Sequence, residues 1–281
     1  MADTIDADEL AGALDGAGAT LLGAGTFGET WLVDGVDVEG VRSSVAVKVL
    51  HAERVNPDLV RREVHGLTLV RIPQIVELLE VRAFELTGGH RIGLLFEHVP
   101  GGDAESHIVA GRHPSSDELC VFARELITAL DALHGHEVIH RDVKLANIVL
   151  RDGRWDQPVL IDFGLSKRLA DSSFTIGPGP VGTPPYMAPE LLRSEPARKS
   201  ADLWACGVVL YMLAAGRFPY FDDATGLTVD DLADIVVGPP RPLPDGLPED
   251  LERLILRLLE QEEYRRGSAK RALADIERMG W

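Results

Sequence analysis

Apolar residues alternate with polar ones through the first third of the chain and recur at helical spacing beyond it. The alternation predicts strands near 19–23, 28–33 and 44–50, with Asp34-Gly35 as the turn of a hairpin between the second and third. Residues 1–18, rich in Asp, Ala and Gly, form an N-terminal extension that holds a short helix. Val60, Val64 and Leu67 fall on one side of a helix predicted from Pro57 to Leu69. Two more strand-like runs, Ile75–Phe84 and Arg91–His98, complete a small β-rich region with one main helix. Pro100-Gly101-Gly102 then breaks the pattern like a hinge. Beyond it Leu119, Phe122, Leu126, Leu130 and Leu133 make one stripe of a helix over Ser116–Leu133, and 251–259 and 269–278 read as later helices. The Pro- and Gly-rich segment 238–248 is the clearest long loop, and no internal repeat is visible.

Composition narrows the function classes. A formal charge of −17 argues against coating DNA or RNA and against docking on anionic membranes, both of which need basic surface. It leaves nucleotide binding open, because a few well-placed cations suffice. Cys120 and Cys206 both sit in apolar helical patterns and read as buried, reduced thiols, which makes the cytoplasm the expected compartment. The acidic N-terminus (Asp3, Asp6, Asp8, Glu9) lacks the basic-then-apolar order of a signal peptide, and the longest apolar stretch, Trp204 to Ala215, is too short to cross a bilayer.

An ordered series of short motifs supplies the chemistry. Gly23-Ala24-Gly25-Thr26-Phe27-Gly28 is followed by Val45-Ala46-Val47-Lys48 and by Glu63. The second half carries His140-Arg141-Asp142, Lys144, Asn147, Asp162-Phe163-Gly164, Ala188-Pro189-Glu190 and Asp202-Leu203-Trp204. The glycines lie between two predicted strands, which excludes the dinucleotide-binding motif of the same spacing, since that one opens a helix. An uncompensated ammonium among Val45, Ala46, Val47 and Val49 is costly, so Lys48 needs an anionic partner. His134, His136 and His140 lack a thiolate or nearby carboxylate to complete a zinc site.

In this order and at these spacings the motifs resemble a eukaryotic-like (Hanks-type) Ser/Thr protein kinase catalytic domain. The resemblance implies an α+β, bilobal fold over residues 19–281, with a β-rich N-lobe of about 19–99 and a mostly helical C-lobe of about 100–281. It implies transfer of the ATP γ-phosphoryl group to Ser or Thr hydroxyls of proteins, with Mg2+ as the metal and Mn2+ an alternative. Leu22, Gly23, Gly25, Phe27, Gly28, Thr30, Ala46, Phe96, Glu97, Val99, Asp103 and Val149 would surround the nucleotide. Thr30 departs from the family's usual Val there. Lys48 would meet the α- and β-phosphates, paired with Glu63, Glu53 being a distant second choice.

The resemblance also makes Asp142 the base for the substrate hydroxyl, Lys144 the support of the transferred group, and Asn147 and Asp162 the metal ligands. Phe163, followed by Gly164, would pack beneath the helix bearing Glu63. His140 and Arg141 would be structural parts of the catalytic loop, Asp202 would brace that loop, and Glu190 would pair with Arg266. Lys144 and Thr183 match Ser/Thr rather than Tyr kinases. Ser172, Ser173 and Thr175 are candidate phosphosites whose dianion would pair with Arg141 and a neighbour such as Arg168. Ala146 stands where many basic-directed kinases carry a carboxylate. Protein substrates and a homodimer for trans-autophosphorylation are the partners such a domain implies. Arg in excess of Lys, with much Ala, Gly and Asp, matches a bacterial high-GC source. A pseudokinase scaffold and a small-molecule phosphotransferase of kinase-like fold are the competing readings. The first is opposed by the filled positions Lys48, Asp142 and Asp162, the second by the Ala188-Pro189-Glu190 and Asp202–Gly207 segments.

Overall fold

The computed structural model describes residues 5–25, 28–51, 64, 68–162, 167–168 and 182–281. The chain divides into two compact units, Met1–Arg71 with Val76–His98, and Ile72–Ile75 with Val99–Trp281. One is β-rich and the other mostly helical, which is the bilobal α+β organisation.

The first unit is a five-stranded antiparallel sheet of order β1-β2-β3-β5-β4, made of β1 (Gly18–Gly25), β2 (Gly28–Val38), β3 (Val41–Leu50), β4 (Leu78–Leu86) and β5 (Gly89–Glu97). The expected turn at Asp34-Gly35 is not a turn. β2 runs through it with a register shift between Val33 and Val36, and the chain reverses at Glu39-Gly40, both at positive φ. The reason is burial: Val36 is fully enclosed in the core with Val33, so continuing the strand removes more apolar surface than turning early.

The N-terminal extension is part of this unit. Helix α1 (Ala7–Ala13), capped by Asp6, sends Leu10 and Leu14 into a core with Trp31, Val45, Val47 and Phe84. The Glu9 carboxylate accepts from the backbone N–H and the hydroxyl of Thr87 in the β4–β5 turn. Of the helix predicted over Pro57–Leu69, only Val64, Thr68 and Leu69 are described, the first two helical and Leu69 in a turn.

The second unit is built on two long helices, α3 (Ser116–Gly135) and α5 (Lys199–Ala215). α3 opens with a Ser115–Glu118 capping box and buries the predicted leucine stripe. The apolar run in α5 is explained by burial on nearly every face. Gly207 lets α7 (Glu249–Leu258) approach, because a Cβ there would stand 2.9 Å from the Leu258 Cβ. Between α3 and α5 come β6 (Val138–Ile139), β7 (Ile148–Leu150), β8 (Pro158–Leu160), β9 (Lys167–Arg168) and α4 (Pro189–Leu192). α2 (Ala104–Val109) precedes α3, and α6 (Val229–Ile235), α8 (Glu263–Arg266) and α9 (Ala269–Met279) complete the unit. The break at Gly101 is a packed turn: φ is 128° and a Cβ would meet the Leu150 carbonyl oxygen at 2.0 Å. Among the described residues no helix is long and apolar enough to cross a membrane.

Candidate active site

In the β-rich unit the register places the expected nucleotide residues on one face. Lys48 pairs with Thr30 on β2 and Leu94 on β5, and Ala46 pairs with Phe96. Directly paired residues share a face, so Thr30, Ala46, Lys48 and Phe96 lie together, opposite the face on which Val45, Val47 and Val49 join the core with α1. Lys48 is only 8% exposed.

The glycines of the first motif differ in what demands them. A Cβ at Gly28 would lie 2.2 Å from the Val49 carbonyl oxygen, so close strand approach requires glycine there. A Cβ at Gly23 would meet nothing within 4 Å, so its space is open. Leu22 is half exposed, at a register shift in β1. Glu97 ends β5 and its carboxylate accepts from the Glu77 N–H. Thr26, Phe27 and Glu63 lie outside the described residues.

In the helical unit the loop after β6 forms a small buried network. The Asp142 carboxylate receives three contacts: the Thr183 hydroxyl donates to Oδ1 at 2.7 Å, and Asn147 Nδ2 at 2.9 Å and Lys144 Nζ at 2.8 Å approach Oδ2. Lys144 Nζ also donates to Thr183 Oγ1 at 2.9 Å, closing a triangle. Asn147 donates again to the Asp142 carbonyl, so its amide is fixed with both donor bonds on Asp142.

Asp202, at the first turn of α5, holds the loop from below. Oδ1 accepts from the Arg141 N–H at 2.8 Å, and Oδ2 accepts from the His140 N–H and from His134 Nε2, both at 2.9 Å. Those bonds secure a backbone in which Arg141 has a φ of 72°, sparsely populated for a side-chain-bearing residue. Burial alone would raise the Asp202 carboxyl, but the His134 and backbone donors outweigh it and hold the group below the ordinary aspartate range.

His140 is fully buried and bridges the loop to β8's exit. Its Nδ1 accepts from the Asp142 N–H, which leaves Nε2–H to donate to the Ile161 carbonyl at 3.1 Å. Burial pushes this imidazole below its ordinary value despite the pull of Asp202, Asp142 and Asp162. Arg141's guanidinium is also lowered by burial, and its buried Nε has no hydrogen-bond partner among the described residues.

Among the described residues no three His, Cys, Asp or Glu side chains gather as a metal site. Asn147 and exposed Asp162 are the oxygen donors expected to serve a metal. The Ile161 N–H donates to the Asn147 carbonyl at 2.9 Å, which sets Asp162 one residue from that contact, at a φ of 61°. With Nδ2 committed, Asn147 Oδ1 is left as the amide's hard oxygen. That donor set fits Mg2+, which takes one or two protein oxygens and keeps waters.

Asp103 has a local task that its motif position did not reveal. It caps α2, with Oδ1 accepting from the Ser106 N–H and Oδ2 from the Ser106 hydroxyl. Its backbone bridges Val149 on β7, and Val99 is buried nearby in the chain. Arg266 donates to both oxygens of Glu190, at 2.6 and 2.8 Å, and to the carbonyls of Glu260, Gln261 and Ser200, with Trp204 under its guanidinium at 4.9 Å.

Burial raises the Cys120 thiol to about 11 and Cys206 further, so neither is a nucleophile near neutrality. Phe163, Gly164, Ser172, Ser173 and Thr175 lie outside the described residues, and of Arg168 only the backbone, in β9, is described. Two residues gain a role that their motifs did not announce: Thr183 bridges Lys144 and Asp142, and His134 supports Asp202. The only signal for His134 was a histidine on the apolar stripe of α3.

Comparison with known proteins agrees with this geometry. The protein kinase domain family matches residues 18–276. The chain is 29% identical over 269 residues to the cAMP-dependent protein kinase catalytic subunit of Dictyostelium discoideum, covering 93% of this chain and 38% of that protein. It is 34% identical over 247 residues to CBL-interacting protein kinase 2 of Oryza sativa subsp. japonica, covering 85% and 52%. With the human cAMP-dependent protein kinase catalytic subunit PRKX it shares 31% over 268 residues, covering 92% and 69%. The chain thus spans well under two thirds of the first two relatives. Taken with the two-unit fold and the network around Asp142, the match shows that this chain belongs to the protein kinase domain family.

Proposed function

We propose that the chain is a protein Ser/Thr kinase that transfers the γ-phosphoryl group of ATP to substrate hydroxyls and phosphorylates its own activation segment. The observation that carries the reading is the Asp142 carboxylate, aimed by Asn147, Lys144 and Thr183. In this reading the substrate oxygen attacks the γ-phosphorus and the bond to the β–γ bridging oxygen breaks. ADP leaves, and the hydroxyl proton passes to Asp142. Lys144 holds charge on the transferring group, and Lys48 with Glu63 orients the α- and β-phosphates. Asn147 and Asp162 would hold Mg2+, which when bound neutralises phosphate charge. Little covalent chemistry falls to the protein, so positioning and electrostatics supply the rate.

Ser/Thr specificity rests on Lys144 and Thr183. The substrates, ATP dependence and a dimer for trans-phosphorylation belong to the same reading. Autophosphorylation is supported by Arg141, a partly buried cation whose Nε has no hydrogen-bond partner among the described residues, for which a phosphate on Ser172, Ser173 or Thr175 is the fitting anion. The test is intact-mass measurement after incubation with Mg-ATP, with Asp142→Asn alongside. Stepwise phosphoryl gains in the wild type alone support the reading. No gain after phosphatase pretreatment, together with retained nucleotide binding, would replace it with a pseudokinase scaffold. Labelled metabolites with unlabelled protein would point to a small-molecule phosphotransferase. Full activity in the Ser172/Ser173/Thr175 triple alanine variant would remove the activation-segment part.

A further inference from the structure

The turn between Val99 and Asp103 is closed by a side chain that no motif announces. Three consecutive carbonyls lie between those residues, on Pro100, Gly101 and Gly102. The Pro100 oxygen accepts from the Asp152 N–H at 2.7 Å, and the Gly102 oxygen accepts from the Leu150 N–H at 2.9 Å. The middle oxygen, on Gly101, faces His107 of α2, whose Nε2 stands 2.6 Å away. A carbonyl can only accept, so Nε2 carries the proton and donates.

The surroundings leave the imidazole little freedom. His107 is 1% exposed, its ring meets Trp155 edge-on at 5.8 Å, and Trp155 meets Phe122 of α3 at 5.9 Å. A Cβ on Gly153 would come within 3.3 Å of His107 Cε1. Gly101, Gly102, Asp152 and Gly153 all have φ between 55° and 128°. A glycine pair has little conformational preference of its own, so the three hydrogen bonds set the shape of the turn.

That shape reaches the residues that the proposed function gives to the nucleotide in the helical unit. Asp103 leaves the turn to bridge Val149 on β7, and Val99, buried, enters it. Two of the three bonds are backbone to backbone and are independent of side-chain identity. The bond to Gly101 depends on one imidazole.

We propose that His107 is a positioning residue for nucleotide binding, which by holding the Gly101 carbonyl fixes the turn and with it Val99, Asp103 and Val149. The proposal rests on the kinase reading for the roles of those three residues. Without the bond the glycine pair is free to rearrange, and part of the binding free energy goes into ordering it.

Calorimetric titration of the full chain with Mg-ATP, alongside steady-state kinetics and thermal unfolding, tests this. His107→Phe keeps an aromatic ring and removes the donor. Its Kd for ATP should rise about tenfold, the equivalent of one lost hydrogen bond, with kcat at saturating ATP unchanged. His107→Gln brings an amide N–H to the same reach and should bind ATP nearly as the wild type does. His107→Asn is one methylene shorter and should bind as weakly as His107→Phe, so the Gln and Asn pair decides the matter if the phenylalanine variant does not fold. A lowered Tm with an unchanged Kd for ATP would mean a role in stability alone and overturns the proposal. Equal affinity in the Gln and Asn variants, or a loss of kcat in place of affinity, overturns it too. Wild-type protein that binds no ATP would remove the kinase reading together with the proposal, whereas wild-type binding with unaffected variants removes only the role of His107.

Discussion

Asp202 and His140 illustrate how single buried groups hold the loop that carries Asp142. Asp202 offers only acceptors, and all three of its partners are N–H groups. Asp202→Asn turns one acceptor into a donor facing a donor. The expected result is a kcat lowered by about 10²-fold, because the loop moves; in the proposed function the nucleotide is held mostly by residues of the β-rich unit, so the Kd for ATP should change little. Steady-state kinetics with nucleotide titration checks the split. His140 predicts a pH effect. Its folded value lies below the ordinary 6.5, so the unfolded chain binds this proton first as pH falls. Its contribution to stability is full above about 6.5 and is lost as pH drops through the depressed folded value. Urea unfolding from pH 8 to pH 5 should show stability declining over the acid half of that range, with a smaller slope in His140→Phe. Equal slopes in both proteins would refute the assignment.

At the scale of elements, α1 and α8 show what packing adds to short segments. α1 has only seven residues, too few to persist alone, yet Leu10 and Leu14 are enclosed by the sheet. Leu10→Ala should cost about 2–5 kcal/mol in the unfolding free energy of the chain, read by denaturant titration. A change within error would mean that α1 is a loosely attached arm. α8 has four residues and exists to deliver Arg266, whose side chain is wholly buried and bonds to Glu190 and three carbonyls. Arg266→Ala strands the Glu190 carboxylate in the interior and should destabilise by about 3–5 kcal/mol, measured by the same titration. Alternation and helical spacing made most elements legible, including β1, β3, α3, α7 and α9. The Asp34-Gly35 turn was misread because its dipeptide is a strong local hairpin signal, and burial of Val36 overrode it.

For the molecule as a whole, both units carry their own hydrogen-bonded framework, and among the described residues no group of three or more His, Cys, Asp or Glu could hold a structural metal. Chelation with EDTA should therefore stop phosphoryl transfer while leaving the Tm of the nucleotide-free protein unchanged. Activity and thermal unfolding measured on one chelated sample check this, and a fall in Tm would mean that a metal also holds the fold. The amino-acid sequence alone determined the motif order, the family, and which residues of β3 share the face of Lys48, because each of these is carried by near neighbours and by a period of two. Tertiary structure alone decided which distant groups meet. Thr183 reaches Asp142 across 41 positions, His134 reaches Asp202 across 68, and Leu10 finds Trp31 and Phe84 in one core. No local preference encodes such meetings. They follow from chain segments folding back on one another, where burial makes each polar atom find a partner or remain unpaired, as Arg141 Nε and Arg257 Nε and Nη2 do among the described residues.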